Sequence, residues 1–439
     1  MRLLIVLSNF VPEIGSAQHI YFDLATALVK RGHEVDVITS YPREENLDKK
    51  DMGREFPLEE TINGIHVHRV KHSTSGRDNV VMRGLEHYRI PLAYYGEYKR
   101  LHKKFDACLI FIPPLPLYYF ARRIKQRDGV PTILNYQDFH PQELVDVGML
   151  TIKPVIKVME YMERQSYRNA DYITTMSKAG IGFINDRVRR QDNIACIYNS
   201  VNLAEFNGLK KDFKAKEGIQ DKFLVSYAGI FSPFQGLDDV LDAAKLMKDQ
   251  KDIVFYLVGD GMVKKHLMDR VSTEGLDNVR ILPLQPRDEY FNVINSSDIN
   301  VVTLDKRMSA PALPGKFINL LGVRRPILAN IPRGNDVGQI VKDYDCGIVT
   351  EPGNPEQICA AVMKLKADSK YREECGARGW MFLQEEMNLD KNVEVYEGIF
   401  RSLSVPRGRK STYADIIPSK ELDRSLKEHA RTQSVHQRH

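Results

Sequence analysis

The run Leu3-Leu4-Ile5-Val6-Leu7, the turn Pro12-Glu13-Ile14-Gly15, the stripe Ile20, Leu24 and Leu28, the exit Lys30-Arg31-Gly32 and the run Val35-Asp36-Val37-Ile38-Thr39 decide the fold of the first half. A short continuous apolar run suits a strand covered on both faces. Apolar residues four apart, with Tyr21 and Ala27 beside them, make one face of a helix, and cations followed by glycine close it. Strand, helix and strand in that order form a βαβ unit, whose right-handed crossover makes parallel pairing the default. Strand-like runs at Ile65 to Val70, Ala107 to Phe111, Thr132 to Tyr136 and Tyr172 to Thr175 continue the pattern, so this half reads as doubly wound.

A second series begins near Phe223. Phe223 to Ala228, Ile253 to Val258, Val279 to Leu282, Ile299 to Leu304, Ile327 to Ile331 and Gly347 to Thr350 are strand-like, and helical patterns follow most of them. The expected fold is α/β, two Rossmann-like doubly wound parallel-sheet domains with a ligand in the cleft between them. The polar stretch around Asn199 to Lys222 separates them. The expected division is 1–203, 204–384, a helix at 385–403 returning to the first domain, and a tail from 404 to 439.

Composition narrows the function. With 439 residues, 43% hydrophobic and 28% charged, the chain builds more than one core and is not a disordered protein. Apolar runs fall far short of the roughly 20 residues a bilayer span needs. No signal-peptide pattern opens the sequence, so a cytoplasmic protein, peripheral on the inner face of the membrane, is expected. Five scattered cysteines without C-x-x-C spacing argue against a disulfide framework or structural zinc. The formal charge of +5 is concentrated: residues 404 to 439 hold eight Lys/Arg against four acids. A nearly neutral body is no nucleic-acid binder, since those carry a basic stripe on the fold itself.

Neither half shows G-x-G-x-x-G after its first strand, and the Walker signature is absent. Glycines do cluster at strand ends, at Gly15-Ser16-Ala17, Gly229, Gly236 and Gly259-Asp260-Gly261. There glycine lets backbone amides approach a phosphate, or simply makes a tight βα turn.

Pro12 to Ala17, Lys30 to Val35, Asn199-Ser200-Val201-Asn202, Gly229 to Leu237, Val258 to Gly261, Asn278-Val279 and Leu313-Pro314-Gly315-Lys316 occur in the order seen in family 4 glycosyltransferases. Over residues 1 to 403 the chain resembles that family, most closely its bacterial surface-polysaccharide subgroup, including N-acetyl-fucosaminyl transferases. The resemblance implies the GT-B fold. It also implies transfer of a sugar from a nucleotide diphosphate donor, UDP-linked by preference and GDP-linked as the other option, with retention of configuration and without metal ion or cofactor.

The carry-over of site residues is uneven. The implied donor site is Gly15, Ser16, Gly229, Gln235, Gly259, Asp260, Gly261, Leu313, Pro314, Gly315, Lys316 and Asn319. Where the family has an Arg and a Lys in the loop after the second domain's first strand, this chain has Phe231 and Gln235, and its two glutamates fall on Pro311 and Asn319. Lys316 is either a replacement phosphate cation or a solvated surface lysine. The family's His-Asp place holds Gln137-Asp138, with His140 two residues on. Asp138 is the candidate base or orienter of the acceptor hydroxyl, and His140 the candidate sugar or phosphate ligand. His140 has a purely structural alternative.

Glu86 to Phe105 interleaves tyrosines with cations. It reads either as a surface lying on an anionic membrane or as a helix packing Tyr94, Tyr95, Tyr98 and Leu101 inward. The basic tail is expected to cooperate with it or to be a solvated appendage. The function these features favour is a retaining glycosyltransferase acting on a polyprenyl-diphosphate-linked glycan acceptor. The alternatives are a non-hydrolysing UDP-sugar 2-epimerase, which needs no acceptor, and an inactive sugar-nucleotide-binding partner protein, motivated by the missing glutamates and cations.

Overall fold

The first apolar run becomes β1 (Arg2–Val6), with four of its five residues buried. It pairs in parallel on both sides, with β2 (Glu34–Ser40) and β5 (Ala107–Ile112). A strand flanked on both edges and covered on both faces has no solvent side, which is why it reads as unbroken Leu, Ile and Val. The structure, a computed structural model, describes residues 1–48, 50–72, 80–190 and 192–404. The basic tail considered above falls almost wholly outside the described residues.

The first sheet is completed by β3 (Glu59–Ile62), β4 (Ile65–Val70), β6 (Thr132–Tyr136), β7 (Tyr172–Thr175) and β8 (Ile194–Cys196), in the order β3-β4-β2-β1-β5-β6-β7-β8. Only the β3–β4 pair is antiparallel. Its two-residue turn, Asn63-Gly64, has positive φ at both residues, the geometry this dipeptide favours in hairpins. The sequence reading missed β3 and β8. β3 is an edge strand carrying Glu59 and Glu60 instead of an apolar run, and β8 is only three residues long.

The second sheet contains β9 (Phe223–Ala228), β10 (Ile253–Val258), β11 (Val279–Leu282), β12 (Ile299–Thr303), β13 (Ile327–Asn330) and β14 (Gly347–Thr350). Its order is β11-β10-β9-β12-β13-β14, and every pair is parallel. Each sheet reverses its winding at one point, β1/β5 in the first and β9/β12 in the second. The loops leaving the C-terminal ends of those strands form the crevices where ligands collect in open α/β sheets.

The crossovers of the first sheet include α1 (Ser16–Lys30), α2 (Val80–Leu101), α3 (Leu117–Asp128), α4 (Gln142–Asp146), α5 (Lys153–Asn169) and α6 (Lys178–Val188). Around the second lie α7 (Phe213–Lys216), α8 (Asp238–Leu246), α9 (Lys264–Thr273), α10 (Arg287–Ser296), α11 (Lys316–Gly322), α12 (Asp336–Asp343), α13 (Pro355–Ala367) and α14 (Ser369–Glu386). The last helix, α15 (Leu389–Ser404), places Val393, Tyr396, Ile399 and Phe400 in the core beneath β1, β2 and α1 of the first sheet. In α2, Tyr94 and Tyr98 are buried, and Arg100 of the helix and Lys103 just beyond it pair with carboxylates.

Two carboxylates join the halves. Asp146, closing α4, accepts the Ser309 and Ala310 N–H groups at 2.6 and 3.0 Å and the Ser309 hydroxyl at 2.9 Å. Asp336, opening α12, accepts the Ala179 N–H in the first turn of α6 at 3.0 Å. Ala310 is packed into the first sheet's core, whereas Val147 and Met176 belong to a cluster with Leu313 and Phe317.

Candidate active site

At the end of β9 the chain must turn beneath the loop that leaves β10, and the two loops are stitched together. Gly229 N–H donates to Val258 O at 2.9 Å, Phe231 N–H to Asp260 O at 2.8 Å and Val263 N–H to Phe231 O at 3.2 Å. A Cβ on Gly259 would lie 1.8 Å from the Gly229 carbonyl oxygen, and one on Gly261, where φ is +149°, would lie 2.4 Å from that of Phe231. These two glycines are therefore required by the approach of one loop to the other. Asp260 is turned onto its own loop, accepting the Gly261 N–H at 2.8 Å and pairing with Lys264 at 2.8 Å.

Gly229, Gln235 and Lys316 do come together, around Tyr227. The Tyr227 hydroxyl lies 2.8 Å from the Ile230 carbonyl oxygen and 3.1 Å from Gln235 Oε1. Lys316 Nζ sits 3.5 Å from the centre of the Tyr227 ring, a cation over an aromatic face. The lysine is only partly covered as a residue, yet its ammonium is shut off from solvent and has no hydrogen-bond partner among the described residues. Burial alone, with no compensating carboxylate, pulls its pKa well below the usual lysine value. Gly229 is its close neighbour: a Cβ added there would stand 3.3 Å from Nζ.

Asn319, one turn along α11, reaches the Tyr290 hydroxyl at 3.4 Å. Leu313 is buried, the Pro314 carbonyl accepts the Phe317 N–H at 2.8 Å, and Gly315 precedes α11. In the first domain Gly15 precedes α1, and Ser16 opens the helix. The Gly15 backbone is extended, and the Gln18 side chain occupies the space its Cβ would need.

The loop after β6 gathers three titratable groups. Burial raises the Asp138 pKa and lowers that of His140, each moderated by the opposite charge of the other. Glu143, which the sequence reading did not single out, completes the group. Its Oε1 accepts the Phe139 N–H at 2.8 Å, and its Oε2 lies 3.8 Å from His140 Nε2. Burial, reinforced by the nearby Asp138 and opposed by the Phe139 N–H, pushes its pKa up to about 8. Glu143 thus holds a proton at neutral pH. Its signal was its place in Asp138-Phe139-His140-Pro141-Gln142-Glu143, but nothing in the spacing said that the carboxyl folds back over the loop.

The root of this loop is rigid. Gln137 and Asn199 exchange amide hydrogen bonds of 2.7 and 3.0 Å, and Gln137 Nε2 also reaches Asn135 Oδ1 at 2.7 Å. Asn135 in turn accepts from Tyr21 at 2.8 Å and donates to Thr174 at 2.8 Å and Tyr396 at 3.3 Å. Through Asp146 the same loop is connected to residues 309–310, just ahead of the Leu313–Lys316 turn. The second domain therefore offers a desolvated Lys316 amine beside glycine backbone, suited to a phosphate. The other offers an Asp, a His and a protonated Glu, suited to handling a hydroxyl and its proton.

Known proteins agree with this architecture. Residues 15–200 match the glycosyl transferase 4-like domain and residues 210–380 the glycosyl transferases group 1 domain. A candidate colanic acid biosynthesis glycosyl transferase of Escherichia coli (strain K12), WcaI, is 22% identical over 372 residues, covering 82% of this chain and 91% of its own. Sucrose-phosphate synthase from Thermosynechococcus elongatus superposes with a TM-score of 0.71 at 15% identity, over 92% of this chain and 98% of that one. HepE of Anabaena, solved in complex with UDP-glucose, superposes with a TM-score of 0.67 at 14% identity, over 92% of this chain and all of its own. With the two domain models in tandem over two largely parallel α/β sheets, the chain belongs to the glycosyltransferases of GT-B fold, a 4-like domain followed by a group 1 domain.

Proposed function

We propose that the protein is a retaining glycosyltransferase that moves a sugar from a UDP-linked donor to a lipid-linked glycan acceptor in surface polysaccharide assembly. The observation that carries the donor half is Lys316. A buried ammonium with no counterion costs stability unless an anion completes it. A diphosphate seated beside Gly229 supplies that anion and leaves as the charged product, the charge a transferase must stabilise as the glycosidic bond breaks. Gly15, Gly229, Gln235, Leu313 to Lys316 and Asn319 then frame the donor, while Asp138 and His140 act at the acceptor hydroxyl and the sugar. The UDP complex of HepE and the colanic acid role described for WcaI support this choice of nucleotide and process.

The test is Lys316→Met. UDP affinity measured by calorimetry should fall about tenfold to a hundredfold, the loss of one to two charge-assisted hydrogen bonds. The melting temperature without ligand should hold or rise, because a buried charge is removed. Equal affinity in the variant would overturn the donor site. Release of UDP only when a polyprenyl-diphosphate-linked acceptor is added identifies the transferase. Turnover of a UDP-N-acetylhexosamine alone would identify a 2-epimerase, and UDP binding without turnover a sugar-nucleotide-binding partner.

A further inference from the structure

No helix among the described residues is long and apolar enough to cross a membrane. Helix α5 stands out. All four of its buried residues, Met162, Glu163, Ser166 and Tyr167, lie in its second half. The first half buries nothing, yet it and the residue before it expose Ile152 (60%), Val155 (42%), Val158 (55%) and Tyr161 (60%). Residues 155, 158 and 161 recur every third position and so share a face.

That face continues onto its neighbours. The Tyr88 hydroxyl of α2 contacts Met162 Sδ at 3.3 Å, and Leu92 (64%), four residues further along the same helix, is exposed. Tyr119 of α3, also exposed, holds its ring tilted against that of Tyr118 with the centres 4.1 Å apart, and the Tyr118 hydroxyl is in electrostatic reach of Tyr161. Three helices therefore expose one apolar and aromatic surface, larger than the isolated apolar residues any soluble protein displays. Arg89, Arg122, Lys153 and Lys157 are exposed on the same helices, and none of the four pairs with a carboxylate among the described residues. The acidic Glu160 is engaged by Arg164 at 3.8 Å.

We infer that this α2–α3–α5 face docks on an anionic lipid bilayer, with the α5 residues and Tyr119 at the depth of the headgroups and the four cations on lipid phosphates. Aromatic and β-branched residues interleaved with unpaired Lys and Arg are the combination that an interfacial surface needs. A second copy of the chain fits less well, because a two-fold contact sets a patch against itself and would oppose its cations to one another. The placement differs from the sequence expectation. Within Glu86 to Phe105, Tyr94 and Tyr98 are buried while Tyr88 and Leu92 are exposed, and most of the exposed apolar residues of this face lie on or just before α5, which begins seven residues after Asp146. The inference gives the lipid-linked acceptor of the proposed function a place to enter, and rests on that reading only for its purpose.

Full-length protein should float with vesicles of phosphatidylcholine and phosphatidylglycerol (7:3) at least tenfold better than with phosphatidylcholine alone, and raising salt from 50 to 500 mM should cut binding about tenfold. Val155→Ser/Val158→Ser/Tyr161→Ser should lower binding tenfold or more at unchanged melting temperature. Lys153→Glu/Lys157→Glu should lower it and flatten the salt dependence, and this variant serves if the triple substitution unfolds. Absence of wild-type binding, or binding unaltered in both variants, overturns the inference. So does a wild-type dimer, seen by sedimentation, that the triple variant abolishes, since a protein copy would then cover the face. Neither donor nor acceptor is present in the assay, so its failure is separate from failure of the glycosyl-transfer reading.

Discussion

Glu143→Gln isolates the proton held beside His140. Glu143 is 9% exposed, and its pKa is pushed from the ordinary 4.5 to about 8 by burial first and by Asp138 second. Between these values the folded chain keeps a proton that the unfolded chain releases, so stability falls as pH rises, by about 1.4 kcal/mol per pH unit. The loss is absent below pH 4.5, reaches about 3 kcal/mol at pH 7 and levels off near 5 kcal/mol above pH 8. Glutamine keeps the volume and the carbonyl oxygen that accepts the Phe139 N–H, and it has no proton to lose. The variant should therefore match the wild type near pH 5 and exceed it increasingly up to pH 8.5. At pH 7 the gain corresponds to roughly 6–12 °C in melting temperature for domains of this size. Urea unfolding followed by far-UV circular dichroism at pH 5, 7 and 8.5 measures it. Fluorescence comes from the single tryptophan, Trp380 on α14, and reports the other domain as an internal control. Wild type and variant curves that stay parallel across this range would refute a buried, protonated Glu143.

Two further substitutions test how the cleft is held. Asp146→Ala removes the acceptor for two backbone N–H groups and one hydroxyl of residues 309–310, and should lower turnover severalfold while costing about 1–3 kcal/mol of stability. Asp146→Asn, whose carbonyl can still accept, should recover part of the turnover, and steady-state kinetics with separate kcat and KM decide whether the contact positions the loop. Gly259→Ala drives a methyl group into the Gly229 carbonyl oxygen and should cost about 1–3 kcal/mol. A change under about 2 °C in thermal melting would show that the two loops separate without penalty.

The sheets were legible because buried parallel strands must be apolar throughout, and nearly every such run in the sequence became a strand. β3 escaped because an exposed edge strand can be made of glutamates. The candidate site was legible only as positions. Gly259 and Lys316 both stood out from the sequence, but a glycine required by a crossing loop and one required by a ligand look alike there. The state of Lys316 was likewise invisible, because it depends on Tyr227, 89 residues earlier in the chain, lying beneath the ammonium. Glu143 and Asp146 passed unnoticed because their partners are a local fold-back and a loop of the other domain, neither of which leaves a periodic trace.

The replaced loop cations follow from the same packing. The family resemblance leads one to expect basic residues near Phe231 and Gln235. Here Phe231 is fully buried beneath the β10 loop, and Gln235 accepts from the Tyr227 hydroxyl. A guanidinium or ammonium in the buried position would lie among Tyr227, Leu237 and Phe255 of the same core, without a counterion, at a cost of several kcal/mol. This loop can therefore not carry the charge at position 231. In the proposed donor site the charge comes to Gly229 from α11 instead, with the Lys316 Nζ lodged on the ring of Tyr227. An aromatic face and a cation entering from the other loop form one substitution in physical terms. Phe231→Arg added to Lys316→Met should accordingly destabilise the domain without restoring donor affinity, and paired melting and UDP calorimetry on the double variant would show whether that holds.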